Sequence, residues 1–217
     1  MSCSVVKGEG PFDPFTVTHE RILETALGLF STRGYLGATT REIARQAGIA
    51  EVTLFRHFPS KEKLLEEAIT RYSILPSLRA FVPRALAMPY EDALAAMANI
   101  LLDTLIQLKD WLRIMHAEVQ RSPEKLLGVY HTFLDELFEV IASYFRELQQ
   151  RGSIGSFDPE LGARVFHAMF YCFFNIEEVL LRKQYRPTDR EKAVREFVRM
   201  FVHGTGGIGR TDYARAS

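Results

Sequence analysis

The sequence predicts an all-α fold, and three observations support this prediction. The 217 residues, 47% of them apolar, are enough to bury a core in one or two domains. Apolar residues recur at the three-to-four-residue spacing of amphipathic helices, and no convincing strand alternation interrupts them. Glycines, prolines and helix-capping residues separate the periodic stretches. We therefore expect about nine helices, a small N-terminal group of three followed by a larger helical body.

The first predicted helix spans residues 17–33. Ile22, Ala26, Leu29 and Phe30 fall on one of its faces, the spacing of a helix that packs against a core. Gly34 is expected to end this helix, because glycine adopts the left-handed conformation of a helix terminus at no steric cost.

Residues 39–61, TTREIARQAGIAEVTLFRHFPSK, predict two short helices joined by a sharp turn. Thr39 and Glu42 have the spacing of a capping box, which marks the start of the first helix. Gly48 is the expected left-handed stop of that helix. Leu54 and Phe58 can anchor the second helix from beneath, which leaves its polar side chains outward. The pattern is that of a helix-turn-helix, whose second helix enters the major groove of DNA.

The remaining predicted helices are marked by caps and breakers. Ser60 can cap a helix that continues to about residue 74. The prolines at positions 76, 83 and 89 are interpreted as punctuation. Thr188 and Glu191 form a second capping box, which opens a last helix that ends at Gly204. The other helices are expected over residues 90–107, 111–121, 123–150 and 158–183.

A family pattern extends over residues 22–65. Its residues are Ala26-x-x-Leu29-Phe30, Gly34-Tyr35, Thr39-Thr40, Ile43-Ala44, Ala47-Gly48, Thr53-Leu54-Phe55, His57-Phe58 and Ser60-Lys61-Glu62-x-Leu64-Leu65. This stretch resembles the tetracycline-repressor (TetR/AcrR) family of bacterial transcription regulators. The rest of the chain agrees with that family in length and helicity. The resemblance implies a DNA-reading head on a helical body that binds an effector and dimerises through its last two helices.

Three positions depart from the family pattern. Ala50 replaces the usual Ser or Thr cap of the reading helix, at a cost of about 1 kcal/mol, which Glu51 at the positive helix end partly offsets. Phe55 replaces a Tyr whose hydroxyl bonds a phosphate in family members, so this contact is expected to be missing. Val52 replaces a common Gly or Pro and places a branched side chain where it can touch a thymine methyl group.

The net charge is zero, but basic residues concentrate in the predicted helix-turn-helix. Residues 33–63 contain six Lys and Arg against three Glu, as expected of a surface that faces phosphates. The side chains expected to hold the DNA backbone are Thr40, His57 and Lys61. Guanine is expected to be read by Arg41 and Arg56, and cytosine N4 by Glu51. Thr53 is expected to contact either a base or a phosphate.

The helical body is expected to bind a small effector and to dimerise. Candidate pocket residues combine apolar or aromatic surface with a few polar anchors, which suits an apolar or aromatic ligand. They are Trp111, Met115, His116, Tyr130, Phe133, Phe166, Phe170, Tyr171 and Asn175. The helix over residues 158–183 is apolar around most of its circumference, so it is either the centre of one core or is shared with a second copy. The family resemblance favours a homodimer, with an interface at Phe173, Val194, Phe197, Val198 and Phe201.

The expected organisation has four segments. Residues 1–17 form a flexible tail, 18–63 the helix-turn-helix domain, 64–204 the effector-binding and dimerisation domain, and 205–217 a second flexible tail. The expected function is that of a dimeric repressor, released from a palindromic operator in double-stranded DNA by an apolar or aromatic effector. Two alternatives stay open: a helical ligand-binding protein or enzyme with an incidental hairpin, and a TetR-like activator.

The sequence gives little support for an enzyme active site, a metal site or a membrane span. Gly204, Gly206 and Gly209 match a dinucleotide fingerprint in spacing, but no strand precedes them. His116-Ala117-Glu118 matches half of a zinc-deaminase signature whose cysteine half is missing. Two cysteines support no disulfide framework, no secretory signal is visible, and no run approaches the roughly 18 apolar residues of a membrane span. We expect a cytoplasmic protein that is not an enzyme and uses no cofactor or metal.

Overall fold

The structure, a computed structural model, describes residues 14–121 and 123–205. Within these ranges all regular structure is helical and no strand occurs, which confirms the predicted all-α class. The chain divides between Ala68 and Ile69 into two compact units, here called the N-terminal and C-terminal units. Most of the two predicted tails, residues 1–13 and 206–217, lies outside the described residues.

The N-terminal unit is built on four helices. They are α1 (Pro14–Gly37), α2 (Thr40–Gln46), α3 (Glu51–His57) and the first part of α4 (Lys61–Tyr72). α1 starts before the predicted residue 17, so residues 14–17 are helical rather than part of a tail. Gly34 interrupts α1 with φ 75° and ψ 171°, and this confirms the predicted break. Ile22, Ala26 and Phe30 are fully buried in the core of this unit.

The C-terminal unit contains the rest of α4 and six further α-helices. They are α5 (Leu75–Ala85), α6 (Tyr90–Gln107), α7 (Lys109–Arg121), α8 (Pro123–Gln150), α9 (Pro159–Phe174) and α10 (Arg190–Thr205). α8 packs on α9, while α6 packs on both α9 and α10. α6 and α8 have the predicted bounds, because their ends are set by local signals such as Pro89, Pro123 and the left-handed Gly152.

The interpretation of prolines 76 and 83 as punctuation is wrong, since both lie in α5. Pro76 occupies the first turn, where a missing N–H has no helical partner to lose. Pro83 lies near the end of the helix, so its ring disturbs only the last turn. Leu75, Leu78 and Ala85 are buried along one face. Burial of this face stabilises a helix that local propensity alone did not predict.

The predicted helix over residues 158–183 is shorter than expected. α9 ends at Phe174 and continues as a π-helical turn, Asn175–Val179, after which Leu181 adopts a left-handed conformation with φ 56°. The predicted cap at Thr188 is also wrong. The Thr188 hydroxyl donates to Glu177 Oε1 at 3.0 Å, and Asp189 instead accepts the Lys192 backbone N–H at 3.1 Å.

Phenylalanines from three helices form the core of the C-terminal unit. Phe145 of α8 and Phe166 of α9 are buried, and the ring centroid of each lies 5.6 Å from that of Phe201 on α10. Gly162 allows α9 to approach this core, because a Cβ atom there would lie 2.4 Å from the Phe157 ring. The three helices thus share one aromatic centre.

Candidate functional site

The turn between α2 and α3 is fixed by the residues that the sequence singled out. The Glu42 backbone N–H donates to Thr39 Oγ1 at 3.2 Å, so the predicted cap of α2 is confirmed. Gly48 has the predicted left-handed conformation, with φ 68°. The Glu42 carboxylate accepts from Arg45 at 2.7 Å and from Gln46 at 2.8 Å. These hydrogen bonds, together with the charge of Arg45, lower the pKa of Glu42 to about 2.

α3 is anchored on one side and open on the other. Leu54 and Phe58 are buried, as predicted, whereas Val52, Phe55 and Arg56 are exposed. Ala50 stands at the N-cap and makes no side-chain hydrogen bond to the helix, in agreement with the predicted loss of a cap. The exposed side of α3 is therefore free of packing within the N-terminal unit and is the candidate surface for reading DNA.

The candidate base-contacting residues differ in solvent exposure and in their partners within the protein. Arg41 and Arg56 are exposed, and none of the ion pairs of the described residues involves either guanidinium. Thr53 is half-buried. The Glu51 carboxylate already accepts the Thr40 hydroxyl at 2.7 Å, across the turn from α2. Thr40 and Glu51, expected to contact phosphate and cytosine respectively, are thus tied to each other.

His57 and Lys61, both expected to hold phosphates, also have partners in the protein. Lys61 Nζ donates to the Tyr35 carbonyl oxygen and lies 4.2 Å from the Tyr35 ring centroid. The His57 ring stacks on Phe15 at a centroid distance of 4.0 Å and lies 5.6 Å from the ring of His19. Burial and the neighbouring His19 lower the pKa of His57, so its imidazole is neutral at pH 7.

The packing of α1 on His57 was not predicted from the sequence. Phe15 and His19 stack around His57 and Phe58, and His19 Nε2 lies 2.5 Å from Glu67 Oε1. Phe15 and His19 have the i, i+4 spacing of one helix face, which was the available signal. Phe15 lies in residues 1–17, which were predicted to form a flexible tail, so this spacing did not enter the predicted site.

The nine candidate pocket residues separate into two groups. His116 Nε2 lies 2.7 Å from the Tyr171 hydroxyl. The Tyr130 side chain is near enough to Tyr171 for each phenol to affect the pKa of the other. His167, which was not predicted, stacks on Tyr171 at 5.4 Å. We call these four residues the tyrosine–histidine cluster, and Phe133 packs beside Tyr130 at 6.4 Å.

Among the described residues, no side-chain hydrogen bond or ring contact joins the other five candidates to this cluster. Phe166 and Phe170 pack on each other and on α10, as part of the aromatic core. Trp111 and Met115 are buried, and the Trp111 indole N–H finds no acceptor among the described residues. Asn175 is half-buried at the π-helical turn.

An open groove of about 890 Å³ lies between α9, α10 and residues 182–189 of the C-terminal unit. Its apolar walls include Met169, Phe173, Ile176 and Phe197. None of the nine candidate pocket residues lines it. Within the described ranges no cluster of side chains suits a metal ion, and no helix is both long and apolar enough to span a bilayer.

The candidate dimer residues are only partly on the surface. Val194, Val198 and Phe201 are buried in the core of their own unit, which leaves them little area for a partner. Phe173 and Phe197 are half-buried at the groove, with ring centroids 5.8 Å apart. Four other apolar side chains of this region are exposed: Leu161 and Val165 on α9, Ile176 on the π-helical turn and Met200 on α10. We call these four side chains the α9–α10 apolar surface.

His167 is expected to make the stability of the C-terminal unit depend on pH. Burial against Phe138 and Tyr171 lowers its pKa from 6.5 to about 4. Between these values the unfolded chain binds a proton that the folded chain excludes, so stability falls as the pH falls from about 6.5 to about 4. The loss reaches roughly 3 kcal/mol. Denaturant unfolding at pH 7 and pH 4.5 should show a smaller difference for His167→Gln than for wild type; equal differences would contradict this assignment.

Two family models match the chain. The model of bacterial regulatory proteins of the tetR family matches residues 22–68, which contain the helix-turn-helix. The model of the C-terminal domain of AefR-like transcriptional repressors matches residues 92–204, which cover α6 to α10. Together they match a large part of each compact unit.

Individual relatives agree with these matches. The chain is 26% identical over 187 residues to the HTH-type transcriptional regulator YvkB of Bacillus subtilis, covering 86% of this chain and 96% of YvkB. The solved structure of the flavonoid-responsive regulator FrrA superposes with a TM-score of 0.68 at 22% identity, over 89% of this chain and 100% of FrrA. NalD, the secondary repressor of the MexAB-OprM efflux pump in Pseudomonas aeruginosa, has a TM-score of 0.62 at 19% identity, over 88% of this chain and 98% of NalD.

Proposed function

Because the chain belongs to the TetR family of bacterial regulatory proteins, and is a transcriptional regulator with a helix-turn-helix DNA-binding domain, we propose that it is a dimeric, ligand-responsive repressor. The observation that carries the proposal is the open side of α3, held outward by the burial of Leu54 and Phe58. The matched family and the named relatives are regulators rather than enzymes, so the enzyme alternative is set aside. We propose that it acts in the cytoplasm of a bacterium.

The exposed guanidinium groups of Arg41 and Arg56 are the proposed readers of guanine, since their forks match O6 and N7. His57 and Lys61 are proposed to position the DNA backbone while keeping the internal contacts described above. Thr40 and Glu51 hold the two helices of the motif together in the free protein. Thr40 is proposed to turn its hydroxyl from Glu51 to a phosphate on binding, because one hydroxyl donates one hydrogen bond. Thr53, which belongs to α3, is proposed to contact a base or a phosphate.

Arg56→Ala is expected to weaken binding at one base position of the operator by about 1–3 kcal/mol, because one bidentate contact is removed. This loss is measured from the affinities of both proteins for a set of operator duplexes, in which each position carries each of the four bases in turn. Arg45→Ala is the matched control, since Arg45 is exposed but paired with Glu42 at 2.7 Å. An equal loss for every sequence would assign Arg56 to the phosphate backbone instead.

We propose that two copies associate through the α9–α10 apolar surface and the adjoining groove. α9 buries Phe166, Phe170 and Phe174 in its own unit, yet Leu161 and Val165 remain exposed on its other side. Such a helix, apolar on both sides, suits burial between the core and a second copy. A two-fold dimer would present two α3 helices to successive major grooves.

Selection of bound duplexes from a random pool, combined with the mass of the protein in solution, tests both proposals. A palindromic consensus and a mass of two chains are expected. Enrichment of a sequence without a repeated half-site, or a single-chain mass at micromolar concentration, would contradict the dimer. Failure to enrich any sequence would contradict the DNA-reading role of α3.

The tyrosine–histidine cluster is the proposed polar anchor of the effector site. Burial lowers the pKa values of His116 and His167 and raises those of Tyr130 and Tyr171, so all four groups are neutral at pH 7. Neutral imidazoles and phenols exchange hydrogen bonds without favouring a charged ligand, which suits an apolar or aromatic effector with hydroxyl or carbonyl groups. By linkage, an effector that prefers the conformation with low DNA affinity releases the operator.

Calorimetric titration with a panel of aromatic ligands, followed by operator release, tests the effector site. Tyr171→Phe is expected to lower the affinity for the ligand. The matched variant Tyr185→Phe, at an exposed position of the same unit, is expected to leave that affinity unchanged. Binding without operator release would contradict the switch. Increased transcription of the target by the ligand-free protein would favour the activator alternative over repression.

A further inference from the structure

The open side of α3 carries two apolar side chains. Val52 is 63% exposed and Phe55 is 44% exposed. They are three residues apart, so they lie on neighbouring positions of one helix face, with the guanidinium of Arg56 next in the chain. Leu54 anchors the helix, and the exposed parts of these two side chains lie outside the core. An adjacent pair of exposed apolar side chains on this helix is a surface that a partner can cover.

The polar neighbours of this pair are partly engaged within the protein. Glu51, the preceding residue, accepts the Thr40 hydroxyl at 2.7 Å. Phe55 has no hydroxyl with which to bond a phosphate. The most open contacts that this face offers to a DNA groove are thus an aliphatic and an aromatic side chain beside Arg56.

In the major groove only one base presents an apolar group. Thymine carries a methyl group at C5, whereas cytosine, adenine and guanine show hydrogen-bonding edges without a methyl. A valine and a phenylalanine that enter the groove can therefore distinguish thymine from the other bases, because they bury its methyl group. The polar edges of the other bases, packed against the same side chains, would lose hydrogen bonds to water and gain none from the protein.

We propose that Val52 and Phe55 form an apolar contact for 5-methyl groups, which selects thymine in each half-site of the operator. This inference rests on the proposed function, because it requires α3 to lie in the major groove. It adds a specificity that the arginines do not supply, since Arg41 and Arg56 read guanine. The predicted half-site therefore contains thymine beside guanine.

Uracil substitution tests the proposal, since deoxyuridine keeps every hydrogen-bonding group of thymidine and lacks only the methyl. The selected operator is made with each thymine replaced in turn. Burial of one methyl is worth about fourfold in affinity. A loss of that size is expected at one or two adjacent positions of the half-site. Replacement in both half-sites of a dimer should multiply the losses to about fifteenfold.

Variants assign the methyl contact to its residues. Val52→Ala and Phe55→Ala should bind thymine and uracil operators with nearly equal affinity, while thermal melting shows that they remain folded. Val52→Thr keeps one methyl and should keep part of the preference. Val17→Ala is the matched control, an exposed valine (46%) on α1, and should retain the full preference.

Two failures are distinguishable. The methyl contact would be overturned if the protein bound thymine and uracil operators with equal, high affinity, or if the selected operator contained no thymine. Either result would leave the regulator function intact. If no duplex is bound at all, the proposed function itself fails, and the methyl contact fails with it. A uracil effect that persists unchanged in Val52→Ala and Phe55→Ala would also overturn the assignment.

Discussion

Replacing Leu54 by alanine is expected to destabilise the N-terminal unit by about 2–5 kcal/mol and to abolish operator binding. Leu54 is the buried residue within α3, and its side chain holds the seven-residue helix against the unit. So short a helix has little stability of its own, so its position depends on this packing. A loss of this size is a large fraction of the stability of a typical domain.

Denaturant unfolding followed by circular dichroism measures the loss of stability, and a duplex-binding assay measures the loss of function. Val52→Ala is the matched control for stability alone, because Val52 is exposed and its truncation should change the stability by no more than about 0.5 kcal/mol. Arg45→Ala is the control for the duplex-binding assay, since Arg45 is exposed and paired with Glu42. A Leu54→Ala protein with wild-type stability would show that α3 is held by other contacts.

Replacing Phe145 by alanine is expected to destabilise the C-terminal unit by about 3–5 kcal/mol. The Phe145 ring is buried, and its centroid lies 5.4 Å from that of Phe157 and 5.6 Å from that of Phe201. Truncation therefore leaves a cavity between α8 and α10 that the surrounding rings cannot fill without moving.

Thermal and denaturant unfolding of the full chain measure this effect. Tyr185→Ala is the matched aromatic control in the same unit, since Tyr185 is 88% exposed and should change the stability by no more than about 0.5 kcal/mol. Equal stabilities of the two variants would contradict the role of Phe145 in the core. Retention of operator binding by Tyr185→Ala would show that the substituted surface is not needed for function.

Local signals explain why the helix-turn-helix was predictable. The cap at Thr39, the left-handed Gly48 and the buried pair Leu54 and Phe58 act over a few residues, and the structure contains all of them. α5 was missed for the opposite reason. Its prolines oppose a helix locally, whereas the burial of Leu78 that favours it depends on packing against α6 and α8.

The surroundings of the candidate residues were harder to predict than their identities. Side chains from α7, α8 and α9 meet in the tyrosine–histidine cluster, and sequence spacing within one helix cannot select such neighbours. Val198 and Phe201 illustrate the same limit. Both are apolar on an amphipathic helix, and only the packing of α10 decides whether they face the core or a partner. The partners of Thr40 and Glu51 likewise depend on how α2 meets α3.

The internal ion pairs of the helix-turn-helix region bear on how the protein finds its operator. Arg33 and Arg45 both face Glu42, and Lys63 faces Glu66 at 2.6 Å. With Arg33, Arg45 and Lys63 engaged, three of the six cations of residues 33–63 are less available to displace the counterions condensed on random DNA. We expect short residence on unrelated sequence and little sliding along it. The regulator then reaches its operator mainly by repeated encounters from solution, at a rate set by how many copies the cell maintains.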